Sequence, residues 1–349
     1  MSAGYESMDN DELQTLFDVT RKNHSQLKLQ EARFGSLYVP PYVVSQIRDL
    51  EVQLQAIKRE LEQRQSSAPS PSSPIQQVDN VIASSAQPQV VDVVIITALE
   101  EERRAVLAHF PVSKRFMAAD GINVYYQTSM TSQDDSSKTY HVIVLQLLAM
   151  GRLNAAHATN DAIRRWNPKS VLLIGIAGGI GGKDVRIGDV LVSDQVVDYE
   201  LQKITSEGPE VRYEVYRVAP RWQSIARALD DYEWMPLIRV DRPDDKSPRR
   251  HIGPIATGDK VIAFDDILRR YQQAWPRLIG VEMEAGGVAS AAFNQAEAPG
   301  FFMVRGVSDL ANQDKNKPRV KGWREYACAV AAAYAVGMIK SGLLPAASA

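Results

Sequence analysis

From Val91 onward, short apolar runs alternate with segments whose apolar residues recur at helical spacing. This alternation predicts an α/β fold, a mixed central sheet flanked by helices. The strand candidates are apolar at nearly every position, which is typical of a largely parallel or mixed sheet buried on both faces. The strand candidates are 91–97, 142–148, 171–176, 190–192, 252–257 and 301–304. The helix candidates are 99–109, 153–166, 222–229, 264–274, 285–293 and 323–341.

A stretch rich in Ser, Pro and Gln, residues 66–89, precedes this region and carries Asp79 as its only charge. Such a composition buries too little apolar surface to order itself, so we predict a disordered linker. The chain is therefore expected to have three parts. These are a small helical module over 1–65, the linker, and a domain over 90–349 that folds independently.

The helical module contains a heptad-like pattern. Its apolar positions, spaced alternately by four and three residues, are Val43, Ile47, Leu50, Leu54, Ile57 and Leu61. This spacing indicates a short coiled coil through which the chain would self-associate. The alternative is that this helix folds back on residues 11–34 of its own chain, and the sequence leaves both open.

Composition excludes several classes of function. With 349 residues, 45% apolar and 23% charged, the chain can bury a full core, and its formal charge of −2 gives no general attraction to nucleic acid or to anionic membranes. A single cysteine, Cys328, rules out an internal disulfide and favours a reducing compartment. The sequence shows neither a signal peptide nor an apolar run of spanning length, so a cytoplasmic location is predicted.

The stretch from Gly280 to Asp309 concentrates charge in apolar surroundings. Glu282 and Glu284 open a helix of small residues, and a strand-like run then leads to Arg305, Ser308 and Asp309. A buried carboxylate without a partner costs several kcal/mol, so these groups are predicted to have partners or a chemical task. The alternative is that the two glutamates only favour a helix N-terminus.

Two further stretches follow strand candidates. The glycine-rich segment from Gly175 to Lys183 matches neither a P-loop nor a dinucleotide fingerprint, but its glycines, Gly178 among them, would let a ligand approach the backbone; a tight structural turn is the alternative. Glu100, Glu101 and Glu102 follow the first strand, where sheet enzymes place ligands.

The five histidines form no metal-site spacing, so neither a metal nor a cofactor is predicted.

At this point the residues resemble the purine nucleoside phosphorylase/uridine phosphorylase superfamily, and within it the methylthioadenosine/S-adenosylhomocysteine nucleosidases. The resemblance covers roughly 91–344. Its motifs are T-A-L-E-E-E at 97–102, G-I-A-G-G at 175–179, I-G-D-V-L-V-S-D at 187–194, T-G-D-K-V-I at 257–262, V-E-M-E-A at 281–285 and V-R-G-V-S-D at 304–309. It implies a three-layer nucleoside phosphorylase-like fold and cleavage of a purine N-glycosidic bond.

The resemblance also implies roles for individual residues. Glu102 would activate the attacking water, Glu284 would hold the ribose hydroxyls, and Asp309, oriented by Ser308, would donate a proton toward purine N7. The substrate-binding set is completed by Met283 on the sugar and by Met150, Val261, Ile262, Glu282, Gly178 and Arg305. The expected partner is a small-molecule purine nucleoside or nucleotide, and the expected state a homo-oligomer.

The chain departs from the pattern of the phosphorylases in its glycine-rich segment. Ile176 stands where phosphorylases generally keep a hydroxyl residue, which favours water over phosphate as nucleophile. A phosphate-dependent phosphorylase and a nucleoside-binding sensor without turnover are the alternatives.

The fusion to a helical module is also similar to phosphorylase-fold effectors of bacterial anti-phage systems. Six cations are candidates to reach a substrate phosphate, namely Arg152, Lys183, Arg186, Lys246, Arg249 and Arg250. The alternative is that most of them are solvated surface charges, since no spacing places them on one face.

Overall fold

The computed structural model describes residues 91–118, 121–180, 184–206, 208–259, 271–310 and 320–346, with scattered positions among the first 59 residues. The chain divides into two compact units, Met1–Ser84 and Ser85–Ala349. The predicted linker over 66–89 lies outside the described residues.

The first unit is helical at each position that the structure describes. Leu13, Ile47 and Ile57 are buried. Nε2 of His24 lies 3.1 Å from Oε1 of Glu51, which joins the two predicted helical segments of one chain. This side-chain contact fits the alternative in which the second helix folds back on the first. Val43 and Leu61 lie outside the described residues, and self-association through this module stays a prediction.

The second unit is an α/β domain. Its strands are β1 (Val93–Thr97), β2 (Lys114–Met117), β3 (Val124–Thr131), β4 (Thr139–Gln146), β5 (Ser170–Gly179), β6 (Val190–Asp198), β7 (Gln202–Thr205), β8 (Gly208–Val211), β9 (Glu214–Arg217), β10 (Arg250–Thr257), β11 (Gly280–Glu282) and β12 (Gly300–Leu310). Its helices are α1 (Glu100–Leu107), α2 (Arg152–Trp166), α3 (Pro220–Ala228), α4 (Asp231–Trp234), α5 (Ala285–Phe293) and α6 (Val320–Lys340).

Ten strands form one mixed sheet in the order β11-β10-β6-β12-β5-β1-β4-β3-β2, with β9 paired to β6. The central pairs β12–β5, β5–β1 and β1–β4 are parallel, whereas β12–β6 and β3–β4 are antiparallel. Strand β11 pairs with β10 on one side and with β5 on the other, so five strands close into a ring. The prediction of a mixed central sheet is confirmed.

Two apolar layers cover the sheet, because alternate residues of each strand point to opposite faces. Val93 and Ile95 of β1 pack in a layer that includes α3 and α6, while Val94 and Ile96 pack in a layer that includes α2 and α5. The resulting helix–sheet–helix arrangement is the three-layer fold that the sequence predicted. No helix in the described part of the chain is long and apolar enough to span a bilayer.

The strand prediction was incomplete in two ways. It omitted β2, β3, β7, β8, β9 and β11, because these strands are short or mix polar with apolar residues and the prediction counted only continuous apolar runs. It also treated Gly175–Gly179 as a turn, but these residues continue β5 and pair with Arg305–Leu310 of β12. The helix predicted over 264–274 lies outside the described residues up to 270, and residues 271–274 are helical.

Candidate active site

A pocket of about 150 Å³ opens where several strands end. Such carboxyl ends are where open α/β sheets bind their ligands. Its wall combines the residues after β1, the segment before α2, the end of β5, the segment from β11 into α5, the end of β12 and the second turn of α6. The lining residues are Ala98, Leu99, Glu102, Met150, Ile176, Ala177, Gly178, Val281, Glu282, Met283, Glu284, Ser308, Asp309 and Arg324.

Glu102 is held by three backbone N–H groups. Its Oε2 accepts hydrogen bonds from the amides of Ala98 (2.8 Å) and Leu99 (2.9 Å), and its Oε1 accepts one from the amide of Ile176 (2.9 Å). The residue therefore caps the first turn of α1 with one oxygen, and its other oxygen is held by β5 at the wall of the pocket. Burial raises the pKa of the Glu102 carboxyl against the opposing effects of Arg305 and the three amides.

Arg305 lies at the centre of three buried carboxylates. Its side chain is 0% exposed, and its Nη2 donates to Oε2 of Glu282 and to Oε2 of Glu284, the latter at 3.2 Å. Its Nη1 lies 3.9 Å from Oε1 of Glu102. Two segments distant in sequence, the start of α1 and the junction between β11 and α5, thus meet at one guanidinium of β12, which offsets much of the cost of burying these charges.

Gly175 makes room for this cluster. A Cβ atom at this position of β5 would lie 2.3 Å from both Nη1 of Arg305 and Oε1 of Glu102. Any side chain would therefore displace the guanidinium or the carboxylate. The glycine that sequence reasoning assigned to a ligand-binding turn serves instead to let two charged side chains lie on the strand backbone.

Glu282 and Glu284 hold the junction between β11 and α5. Both oxygens of Glu282 accept from the amide of Ala285, at 3.1 and 3.0 Å, and Oε2 also accepts from the amide of Glu284 at 3.1 Å. Oε1 of Glu284 accepts a longer hydrogen bond, 3.3 Å, from the amide of Gly151. Burial, opposed by Arg305 and reinforced by the neighbouring glutamates, raises the pKa of Glu284 to about 7. Glu282 thus has the helix-terminus role, while Glu284 faces the pocket.

A β-bulge in β12 brings two consecutive side chains to the pocket. Val307 is paired with Ala177 and Asp309 with Gly178, so Ser308 is the extra residue. In a regular strand, neighbouring side chains point to opposite faces, but here Ser308 and Asp309 both line the pocket. Oγ of Ser308 donates to Oδ2 of Asp309 at 2.9 Å, which places the two side chains in the contact that the family resemblance implied.

The remaining predicted residues divide into two groups. Met283 and Gly178 line the pocket, and so does Met150, whose side chain is 52% exposed. Val261 and Ile262 lie outside the described residues.

The proposed phosphate-binding cations are placed elsewhere. Nη2 of Arg152 lies 2.7 Å from the buried Asp198, and Nη2 of Arg186 lies 3.3 Å from the buried Asp189. Nη1 of Arg250 donates to backbone carbonyls at the end of α3. Lys246 and Arg249 are exposed, and Lys183 is outside the described residues. The five of these cations that the structure describes do not line the pocket.

Sequence reasoning missed one charged residue of the wall, Arg324 of α6. Its Nε donates to Oε1 of Glu101 in the first turn of α1. The available signal was its position, because a helix that follows a strand ending in site residues begins near the site. No residue spacing around Arg324 distinguishes it from a solvated surface cation.

The family model described as the Phosphorylase superfamily matches residues 92–340. With this match, the α/β sheet and the carboxylate pocket at its strand ends identify the chain as a member of the phosphorylase superfamily. This confirms the resemblance stated from the sequence motifs.

Individual relatives agree with this assignment. A 5'-methylthioadenosine/S-adenosylhomocysteine nucleosidase from Listeria innocua is 33% identical over 172 residues, which is 49% of this chain and 70% of that protein. A death domain-containing ATP nucleosidase from Amphimedon queenslandica is 28% identical over 198 residues, which is 53% of this chain and only 36% of that protein.

A solved structure shows the same fold. The S-adenosylhomocysteine nucleosidase from Streptococcus pyogenes, in complex with 5-methylthiotubericidin, superposes with a TM-score of 0.58. The match covers 74% of this chain and 98% of that one, at 22% sequence identity.

Proposed function

We propose that this chain hydrolyses the N-glycosidic bond of an adenine nucleoside or nucleotide and releases the purine base. The observation that carries the proposal is the convergence of Glu102, Glu284 and Asp309 in one pocket. They come from three separate elements; backbone amides hold Glu102 and Glu284 in place, and Asp309 accepts a hydrogen bond from Ser308. The nucleosidase activities named for the relatives in Listeria and Amphimedon support the same reaction class.

Water is the proposed nucleophile, and Glu102 is the proposed base. Nη1 of Arg305 is buried and has no hydrogen-bond partner among the described residues, while Oε1 of Glu102 lies 3.9 Å from it. This separation is too long for a direct hydrogen bond and suits a group that bridges the two atoms. The raised pKa of Glu102 favours proton acceptance, because a base is most effective when its pKa approaches the working pH.

Glu284 is proposed to accept hydrogen bonds from the ribose hydroxyls. Oε2 is held by Arg305 and Oε1 by the amide of Gly151, so the carboxylate is fixed before the substrate arrives. Met283 lines the same wall and supplies an apolar contact for the sugar. Such preorganised hydrogen bonds favour an oxocarbenium-like transition state when they strengthen as charge develops on the ring.

Asp309 is proposed to protonate the departing base. The bond between C1′ and the purine breaks and its electron pair leaves with the base, which takes the proton from Asp309. Water forms the new bond to C1′ and gives its proton to Glu102. The hydrogen bond from Ser308 restricts the rotamer of Asp309, which keeps the acid aimed at one position.

The choice between water and phosphate rests on Ile176. This residue lines the pocket and carries no hydroxyl group, while its amide is already bonded to Glu102. A phosphate nucleophile would also bring negative charge next to Glu102, Glu282 and Glu284. Both facts favour hydrolysis over phosphorolysis.

The proposal includes a homo-oligomer. Leu148 and Leu153 flank the pocket residue Met150 in sequence, and their side chains are 68% and 69% exposed. Exposed apolar side chains so close together are typical of a surface that another protein copy covers. Light scattering of the purified chain measures the mass, and a monomer at micromolar concentration would reject this part of the proposal.

The activity is tested with adenosine, methylthioadenosine, AMP and ATP, each with and without inorganic phosphate, by following released base chromatographically. Hydrolysis predicts adenine and a free sugar or sugar phosphate at rates independent of added phosphate. A strict requirement for phosphate would establish the phosphorylase alternative. Tight binding without base release would establish the sensor alternative. An effector role that depletes adenine nucleotides predicts, in addition, that expression of the active chain lowers cellular ATP.

A further inference from the structure

Arg324 is a pocket-lining cation that the catalytic assignment leaves without a task. It lies in the first turns of α6, and its side chain is 43% exposed. Its Nε is engaged by Glu101, but its Nη1 and Nη2 have no hydrogen-bond partner among the described residues. The ion pair with Glu101 therefore anchors the guanidinium through one edge and leaves two donors available to a ligand.

The other cation at the pocket is not available. Arg305 is 0% exposed, and its charge is shared among Glu102, Glu282 and Glu284. Among the lining residues that the structure describes, Arg324 is thus the cation with exposed donors. An anionic substrate entering a pocket with four carboxyl groups needs such a group to offset the repulsion.

The shape of a nucleoside indicates which part of the substrate Arg324 would contact. The ribose presents its base at C1′, its hydroxyls at C2′ and C3′, and its 5′ substituent at C4′. Asp309 is assigned to the base and Glu284, with Met283, to the hydroxyls. The wall left for the 5′ substituent is formed by α1 and α6, where Leu99 and Arg324 line the pocket.

We propose that Arg324 binds the 5′-phosphate of an adenine nucleotide and makes the site selective for nucleotides over uncharged nucleosides. The inference rests on the proposed nucleosidase function and specifies its substrate class. A guanidinium with two free donors matches two phosphate oxygens. Glu101 acts as a positioning residue, because its bond to Nε sets the plane in which Nη1 and Nη2 point.

The test compares kcat/KM for ATP and AMP with kcat/KM for adenosine in the wild-type chain and in Arg324→Met. The ratio of nucleotide to adenosine kcat/KM is expected to fall at least about tenfold in the variant, since a hydrogen bond to a charged group contributes that much or more. Arg324→Lys keeps the charge without the planar fork and should retain an intermediate ratio. Comparing AMP with ATP shows whether the first phosphate or the terminal ones are bound.

Arg104→Met is the matched control. Arg104 is an exposed arginine on α1, paired with Glu100 at 2.7 Å, and it lies outside the pocket lining. Its removal changes the net charge by the same amount and should leave the ratio at the wild-type value. Raising the salt concentration should lower the ratio in the wild-type chain and in Arg104→Met but not in Arg324→Met.

The possible results distinguish failure of the Arg324 assignment from failure of the proposed nucleosidase activity. If no adenine compound is cleaved by the wild-type chain, the proposed function fails. If adenosine and nucleotides are cleaved and Arg324→Met leaves their ratio unchanged, the nucleosidase stands and the assignment of Arg324 is refuted. An equal fall with Arg104→Met would also refute it, because a general charge effect would then explain the result.

Discussion

Replacement of Glu102 by glutamine tests whether this carboxylate is a catalytic base or only a helix-capping residue. In the protein its two oxygens accept three backbone hydrogen bonds. A glutamine side chain can keep its oxygen toward Ala98 and Leu99, but its amide group then faces the N–H of Ile176. One buried donor loses its acceptor, which costs about 1–3 kcal/mol.

Part of that cost is offset. Burial raises the pKa of Glu102, so its ionised form is already disfavoured in this position, and a neutral side chain avoids that penalty. We therefore expect Glu102→Gln to fold with a free energy of unfolding lower by about 1–2 kcal/mol. Loss of a general base should reduce kcat by about 10²–10⁴-fold. Urea unfolding gives the first quantity, and adenine release with saturating substrate gives the second.

Glu100→Gln is the control. Glu100 lies in the same first turn of α1, is exposed and forms ion pairs with Arg103 and Arg104. The substitution Glu100→Gln therefore removes the same charge from the helix N-terminus. Its substitution should change stability by about 0.5 kcal/mol or less and should leave turnover intact. A folded Glu102→Gln enzyme with near wild-type kcat would refute the base assignment. Unfolding of Glu102→Gln alone would show that capping is the residue's main contribution.

Three further predictions follow from the site and from the first unit. Asp309→Asn should lower base release by about 10²-fold or more while ligand binding persists, because the amide cannot supply the proton. Calorimetry with a non-cleavable analogue measures binding. Near-normal turnover would refute the assignment of Asp309 as the proton donor. The pKa of Glu284 is raised to about 7 in the folded chain, above its unfolded value, so the stability that it contributes is present below about pH 4.5 and is lost as pH rises toward 7. Unfolding curves from pH 5 to 8 should show a slope that Glu284→Gln reduces, and an equal slope in both proteins would contradict the shift. Leu50→Lys combined with Leu54→Lys should lower the oligomer mass if the predicted coiled coil is intermolecular, and an unchanged mass by light scattering would favour packing within one chain.

Local sequence patterns were enough to predict the fold class. The apolar runs that became β1, β5 and β12 are buried along their length, and the small-residue helix that follows Glu284 begins and ends at the predicted residues. Side-chain periodicity is a property of the backbone, so it can be read without knowing what lies opposite. Family motifs added the identity of the carboxylates, which periodicity alone does not provide.

The interactions among those carboxylates depended on tertiary structure. Sequence reasoning left the orientation of Arg305 open, and the fold directs it to Glu102 of α1 and to the two glutamates at the junction between β11 and α5. The bulge at Ser308 exists because β12 pairs with β5 in a shifted register, which no residue in β12 reveals by itself.

Arg324 is a pocket residue that sequence reasoning did not identify, because its position also depends on tertiary structure. Six other cations were better candidates by sequence, yet they lie in ion pairs, on carbonyl groups, on the surface or outside the described residues. Arg324 reaches the pocket because α6 packs beside α1, which places it against Glu101. Sequence determines which side chains a strand or helix carries, while the packing of elements far apart along the chain decides which of those side chains meet.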